Sequence, residues 1–277
     1  MKPNPWTRFV VSTVRLAIAA FVLLHLYLYL AQDSMIFFPQ PLDDDMRALV
    51  AKRQPRAEEI MLAAADGHRL HGWFVRNADG IGDAPVLLYF GGNAEEVSGF
   101  AMEARELPGV SLALFNYRGY GRSEGVPSEQ ALFADAVTIY DAVAVRPGVD
   151  RKRIIAMGRS LGSGVATYLA TQRPLSAVVL VTPYDSIAAV ARAKYPFALV
   201  DILLKHPFDS LARAPKIEAP MLALIAERDS IIAPTHAMTL VKAWRGPATS
   251  VLIERADHTD IASHPRYWPA VREFLRN

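Results

Sequence analysis

The sequence predicts an α/β fold: a mostly parallel eight-stranded sheet with helices on both faces and a small cap, preceded by one N-terminal transmembrane helix. Three observations carry this. Short apolar runs alternate with longer amphipathic ones through most of the chain, an order that calls for crossover connections and so for a parallel sheet covered on both sides. The segment Gly158-Arg159-Ser160-Leu161-Gly162 joins one such strand to one such helix through a sharp turn. A long apolar stretch lies near the N-terminus, ahead of the alternating part.

Residues 9–31 are apolar apart from Ser12, Thr13, Arg15 and His25. As a helix they would cover roughly 35 Å, enough for the hydrocarbon core of a bilayer. Lys2, Arg8 and Arg15 lie toward the N-terminal side, whereas Asp33 and Asp43-Asp44-Asp45 follow the stretch. The positive-inside rule then puts the N-terminus in the cytoplasm and the bulk of the chain outside it. Trp6, Tyr27 and Tyr29 suit interfacial anchoring, and Arg15 is close enough to the helix end to snorkel. Two rival readings are a cleaved signal peptide and a helix packed on the soluble domain. The first needs a shorter apolar region and a better small-x-small site than Leu30-Ala31-Gln32-Asp33. The expected organisation is an anchor over 1–32, a Pro- and Asp-rich linker over 33–57 and a folded domain over 58–277.

The folded part opens with two strands, 59–63 and 69–75, joined as a hairpin by Asp66-Gly67. Further strands are expected at 86–90, 112–116, 153–157, 177–181, 221–225 and 250–253, with helices at 95–107, 129–145, 163–172, 235–243 and 265–275. The stretch between 181 and 221 is too long for a plain connection. Its apolar run 193–204 suits a cap, at about 186–214, over the carboxyl ends of the strands; the alternative is an ordinary packed helix.

The chain has 277 residues, 52% of them hydrophobic, enough to bury one large core. Its 30 basic and 28 acidic residues are scattered and leave a net charge of only +2, which does not suit nucleic-acid binding. With no cysteine, thiol chemistry, cysteine-ligated metals and disulfides are excluded.

Strand 153–157 runs into Gly158-Arg159-Ser160-Leu161-Gly162, and a helix follows at once. This is the context of a nucleophile elbow, a turn so tight that only glycine fits two residues either side of the serine. The same pattern recurs at Gly121-Arg122-Ser123-Glu124-Gly125, but no strand enters it and Val126-Pro127 follows, so Ser123 is expected to be a loop residue. A serine hydroxyl is a weak nucleophile unless a histidine takes its proton and a carboxylate holds that histidine in the right tautomer. Asp229 and His258 follow later strands, in the chain order serine, acid, histidine. Asp185, Glu227, Asp257 and Asp260 compete for the acid role, the last two more as residues that cap or orient the histidine turn. Two backbone N–H groups should face the oxyanion of an attacked carbonyl. Leu161 supplies one, and the turn Gly91-Gly92-Asn93-Ala94 the other, with Asn93 ahead of Ala94.

With these residues placed, the chain resembles the α/β-hydrolase superfamily over roughly 58–274. It looks most like membrane-anchored serine hydrolases whose strand-three turn reads H-G-N-A or G-G-N-A, here Gly91-Gly92-Asn93-Ala94, followed by Asn116-Tyr117-Arg118-Gly119-Tyr120-Gly121-Arg122-Ser123. The segment Asp33-Ser34-Met35-Ile36-Phe37-Phe38-Pro39 is similar too. The resemblance implies an α/β-hydrolase fold, with Ser160 as nucleophile, Asp229 as acid, His258 as base and Asn93 and Leu161 as oxyanion donors. Ala226 and Ala256 depart from it, standing where many relatives carry glycine.

The expected activity is hydrolysis of an ester or thioester through an acyl-enzyme, without metal or cofactor. The partners expected are a small-molecule or lipid-like acyl substrate and the membrane, and no nucleic acid. Two alternatives are a serine peptidase or amidase acting on short peptides and a catalytically silent membrane-bound scaffold.

Overall fold

The computed structural model describes residues 4–77 and 83–276; Lys2, one of the charges behind the expected orientation, lies outside them. Helix α1 (Pro5–Ile36) opens at Asn4, whose side chain accepts from the Trp6 N–H, with Pro5 in the first turn where its missing N–H costs nothing. At 32 residues it is about 48 Å long. Every residue from 4 to 24 is exposed, and the helix is long and apolar enough to cross a membrane.

The expected linker 33–57 contains a helix, α2 (Asp44–Arg53). Asp43 caps it by accepting from the Asp45 N–H, Asp44 and Asp45 sit at its positive end, and Lys52 and Arg53 at its negative end. The aspartate run therefore starts a helix, and Val50 is buried beneath it.

The sheet is built from β1 (Ala57–Ala63), β2 (Arg69–Val75), β3 (Ala84–Phe90), β4 (Ser111–Phe115), β5 (Val149–Arg159), β6 (Ala177–Val181), β7 (Met221–Ala226) and β8 (Ala248–Ile253). Their order is β1-β2-β4-β3-β5-β6-β7-β8. β1–β2 and β2–β4 pair antiparallel and every later pair is parallel. Successive side chains leave a strand on opposite faces. On β3, Val86, Leu88 and Phe90 join the core under α3 (Glu129–Ala144), α4 (Leu161–Gln172) and α7 (Pro234–Ala243). Leu87 and Tyr89 join the core on the other face, with α2 and α8 (Tyr267–Arg276).

The helix expected at 95–107 is instead a 3-10 helix, Val97–Glu106. Glu95 and Glu96 are used elsewhere: Glu96 accepts from the Ser98 N–H and hydroxyl, and Glu95 turns back onto the preceding loop. Between β6 and β7 lie α5 (Ile187–Lys194) and the short α6 (Val200–Leu203), which stand above the carboxyl end of β5.

Candidate active site

β5 ends at the centre of the sheet, and the chain reverses into α4 through Ser160, held at φ +50° and ψ −117°. A side chain rarely adopts this conformation, so surrounding contacts must impose it. The Ser160 N–H donates to the Val181 carbonyl at 2.9 Å. A Cβ at Gly158 would collide with the Gly162 carbonyl, and one at Gly162 with the carbonyls of Phe90 and Gly91. The two flanking glycines are thus required by close backbone approach between the elbow and the end of β3.

His258 follows β8 and Asp229 follows β7. The His258 ring bridges them: Nε2 lies 2.9 Å from the Ser160 hydroxyl, and Nδ1 lies 2.8 Å from Asp229 Oδ2. Asp229 is fixed in turn by the N–H groups of Ile231 and Ile232, which both donate to its Oδ1, at 3.0 and 2.7 Å. Both side chains are buried, 7% exposed for His258 and 3% for Asp229, so water competes little for these bonds.

The other carboxylates are occupied elsewhere. Asp257 accepts from the Ser230 and His258 N–H groups, which hold its carboxyl below the usual range, and so shapes the histidine turn. Asp260 accepts from the Asp257 N–H, Glu227 from the Arg255 N–H, and Asp185 pairs with His236 at 2.9 Å. Ser123 is a buried loop residue that bridges the His71 N–H and the Asn116 carbonyl.

The turn after β3 is clamped on all sides. Tyr117 donates to the Gly91 carbonyl at 2.9 Å, and Glu95 accepts from the Gly92 N–H at 2.8 Å and from Tyr89 at 2.7 Å. The Asn93 carbonyl accepts from Tyr120 at 2.6 Å and from the Phe38 N–H at 3.0 Å. Burial pushes the Tyr120 phenol up to about 12, which keeps it a neutral donor near neutral pH. The N–H groups of Asn93 and Leu161, in contrast, donate to no acceptor among the described residues. Sequence reasoning missed Glu95, Tyr117, Tyr120 and Phe38 as braces of this turn. For Phe38, Tyr117 and Tyr120 the sequence signal was the likeness of 33–39 and 116–123 to related chains, and Glu95 carried none.

Ser160, Leu161, His258 and Asn93 open onto a cavity of about 280 Å³. Its walls are mostly apolar and come from α5, α6 and, unexpectedly, α1, through His25, Leu28, Tyr29, Gln32, Met35 and Ile36. None of the described residues lining it is Asp or Glu. Among the described residues, no group of three or more His, Cys, Asp or Glu is placed to hold a metal.

A mostly parallel sheet carrying serine, acid and histidine just beyond the ends of β5, β7 and β8, with the serine on a strained elbow, defines an α/β hydrolase. Known proteins agree. The family model described as serine aminopeptidase, S33, matches residues 84–206. The uncharacterized protein Rv2307c of Mycobacterium tuberculosis is 34% identical over 90% of this chain and 89% of its own length. The α/β hydrolase domain-containing protein WAV2 of Arabidopsis thaliana is 30% identical over 79% of this chain and 78% of its own. An acetyl xylan esterase from Paenibacillus sp. R4 superposes with a TM-score of 0.63 at 21% identity, covering 89% of this chain and 98% of that one. The chain belongs to the α/β-hydrolase superfamily, and it is a hydrolase.

Proposed function

We propose that the chain is a membrane-anchored serine hydrolase that cleaves a carboxylic ester or thioester bearing an acyl chain. The observation that carries this reading is the unbroken relay Asp229–His258–Ser160 beneath an apolar cavity. Ser160 Oγ attacks the acyl carbonyl carbon while His258 Nε2 takes its proton, and Asp229 stabilises the imidazolium through Nδ1–H. The developing oxyanion is received by the free N–H groups of Asn93 and Leu161, each worth about 3 kcal/mol of barrier in comparable sites. The C–O or C–S bond then breaks, and the leaving group takes the proton from His258. Water, deprotonated by the same histidine, attacks the acyl-serine and releases a carboxylic acid, so no metal or cofactor enters any step.

The family model's description raises the alternative of an aminopeptidase. Holding a substrate's terminal ammonium calls for a carboxylate in the pocket, and none of the described lining residues supplies one. An apolar acyl group fits the same walls without such a partner. Turnover of p-nitrophenyl esters of increasing chain length should exceed that of aminoacyl amides, with longer chains preferred to acetate. Faster cleavage of the amides would overturn the acyl reading.

The same reading places α1 across a bilayer with the hydrolase domain outside the cytoplasm. Arg8 and Arg15 lie toward one end of the span and Asp33 beyond the other, and residues 5–24 alone would cover about 30 Å. A reporter active only in the cytoplasm, fused at the C-terminus, is expected to be silent; activity there would reverse the orientation.

A further inference from the structure

We infer that the last three turns of α1 are part of the substrate site, and that the substrate is an acyl amphiphile drawn directly from the bilayer, with its chain lying along α1. This rests on the reading of Ser160 as nucleophile and α1 as anchor.

Residues 25, 28, 29, 32, 35 and 36 recur at helical spacing, so they form one face of α1, and that face lines the cavity above Ser160. The face is locked to the hydrolase domain at several points. The Gln32 amide donates to the Leu203 carbonyl at 3.0 Å and accepts from the Lys205 N–H at 2.6 Å, closing the end of α6. Asp33 pairs with Lys205 at 3.2 Å and His206 at 3.0 Å. Phe37 is buried edge-on to His206, and the Phe38 N–H reaches the Asn93 carbonyl beside the reacting site. The helix is thus a wall of the cleft rather than a tether that trails from it.

Direction follows from these contacts. The Ile36 end lies against the Asn93 turn, and His25 stands eleven residues earlier, about 16 Å back along the helix toward the membrane. Beyond His25, residues 5–24 are exposed and mainly apolar, a length suited to hydrocarbon. A groove that begins at Ser160 and follows α1 therefore descends into the outer leaflet. That is the direction in which a lipid's chain already points when its carbonyl sits at the interface. The lip of the groove is apolar as well: Phe197, Leu199 and Ile202 are exposed on and before α6, where they would rest on lipid. At the far end, His25 Nδ1–H donates to the Phe21 carbonyl at 2.8 Å, and its Nε2 is buried without a partner among the described residues.

The experiment uses the full chain in vesicles of neutral phospholipid, with p-nitrophenyl laurate and p-nitrophenyl acetate as substrates. Leu28→Trp fills the groove and should lower the laurate-to-acetate ratio of kcat/KM by at least about tenfold. Leu30→Trp, on the exposed side of the helix, should leave the ratio unchanged. At constant total laurate ester, added phospholipid should slow the wild-type enzyme in proportion to the falling mole fraction of ester in the bilayer. An unchanged ratio in Leu28→Trp overturns the wall, and a rate that follows ester dissolved in water overturns the bilayer source. Fluorophosphonate labelling of the same vesicles separates these failures from failure of the underlying reading: a wild-type protein that does not label at Ser160 is not a serine hydrolase at all.

Discussion

Ser160→Ala is expected to reduce ester turnover by about 10⁶-fold and to abolish fluorophosphonate labelling. The alanine removes the attacking oxygen and nothing else of structural weight. The elbow is held by the Ser160 N–H on Val181 and by the crowded glycines at 158 and 162, all of which the variant keeps. Circular dichroism and thermal midpoint should therefore match the parent protein, so that loss of activity reports chemistry alone. Undiminished labelling of the variant would refute the assignment and return attention to the remaining hydroxyls.

The second large effect belongs to Asp229→Asn, where turnover should fall about 10⁴-fold with the fold intact. The local bonding gives the reason. Both backbone donors, Ile231 and Ile232, address Oδ1, so an asparagine would keep its carbonyl oxygen there and put its NH₂ in the place of Oδ2, 2.8 Å from His258 Nδ1. An NH₂ at 2.8 Å from Nδ1 favours the tautomer with the ring proton on Nε2, against the longer 3.0 Å contact from Nδ1 to the oxygen kept at Oδ1, and a ring in that tautomer cannot accept a proton from Ser160. Stopped assays with p-nitrophenyl butyrate and the rate of fluorophosphonate labelling should fall together. Activity within tenfold of the parent would move the acid role to another group. Asp257 is poorly suited to take it, since its carboxylate already binds Ser230 and the backbone of His258.

The convergence of Ser160, His258 and Asp229 could be read from the sequence because parallel strands end on one side of a sheet. Apolar runs mark where each strand stops, and the polar residue just beyond each run is delivered to the same rim. The elbow was legible from its context: glycines flank Ser123 at the same spacing, but at 158–162 alone of the two a strand enters the turn and a helix leaves it at once. The docked face of α1 was not legible. A helix that is apolar all round carries no periodic signal to separate the face that meets protein from the face that meets lipid. The role of Glu95 was hidden by its helix-friendly surroundings, where it reads as the start of an amphipathic run although it braces Gly92 and Tyr89. The start of α2 was open to reading: aspartate at a cap, acids in the first turn and Lys52-Arg53 at the end are helix signals. Counted as charges flanking an anchor, they gave a linker instead.

The placement of Leu28, Gln32 and Met35 has a practical consequence for anyone who shortens the polypeptide to obtain a water-soluble enzyme. A version that begins beyond Phe38 would retain serine, histidine and aspartate, yet it would lose one side of its specificity chamber and the backbone donor that steadies Asn93. Such a fragment would report the reactivity of the relay faithfully and the selectivity of the intact molecule wrongly. Substrate surveys made on it would rank compounds for a trough that the native protein does not possess.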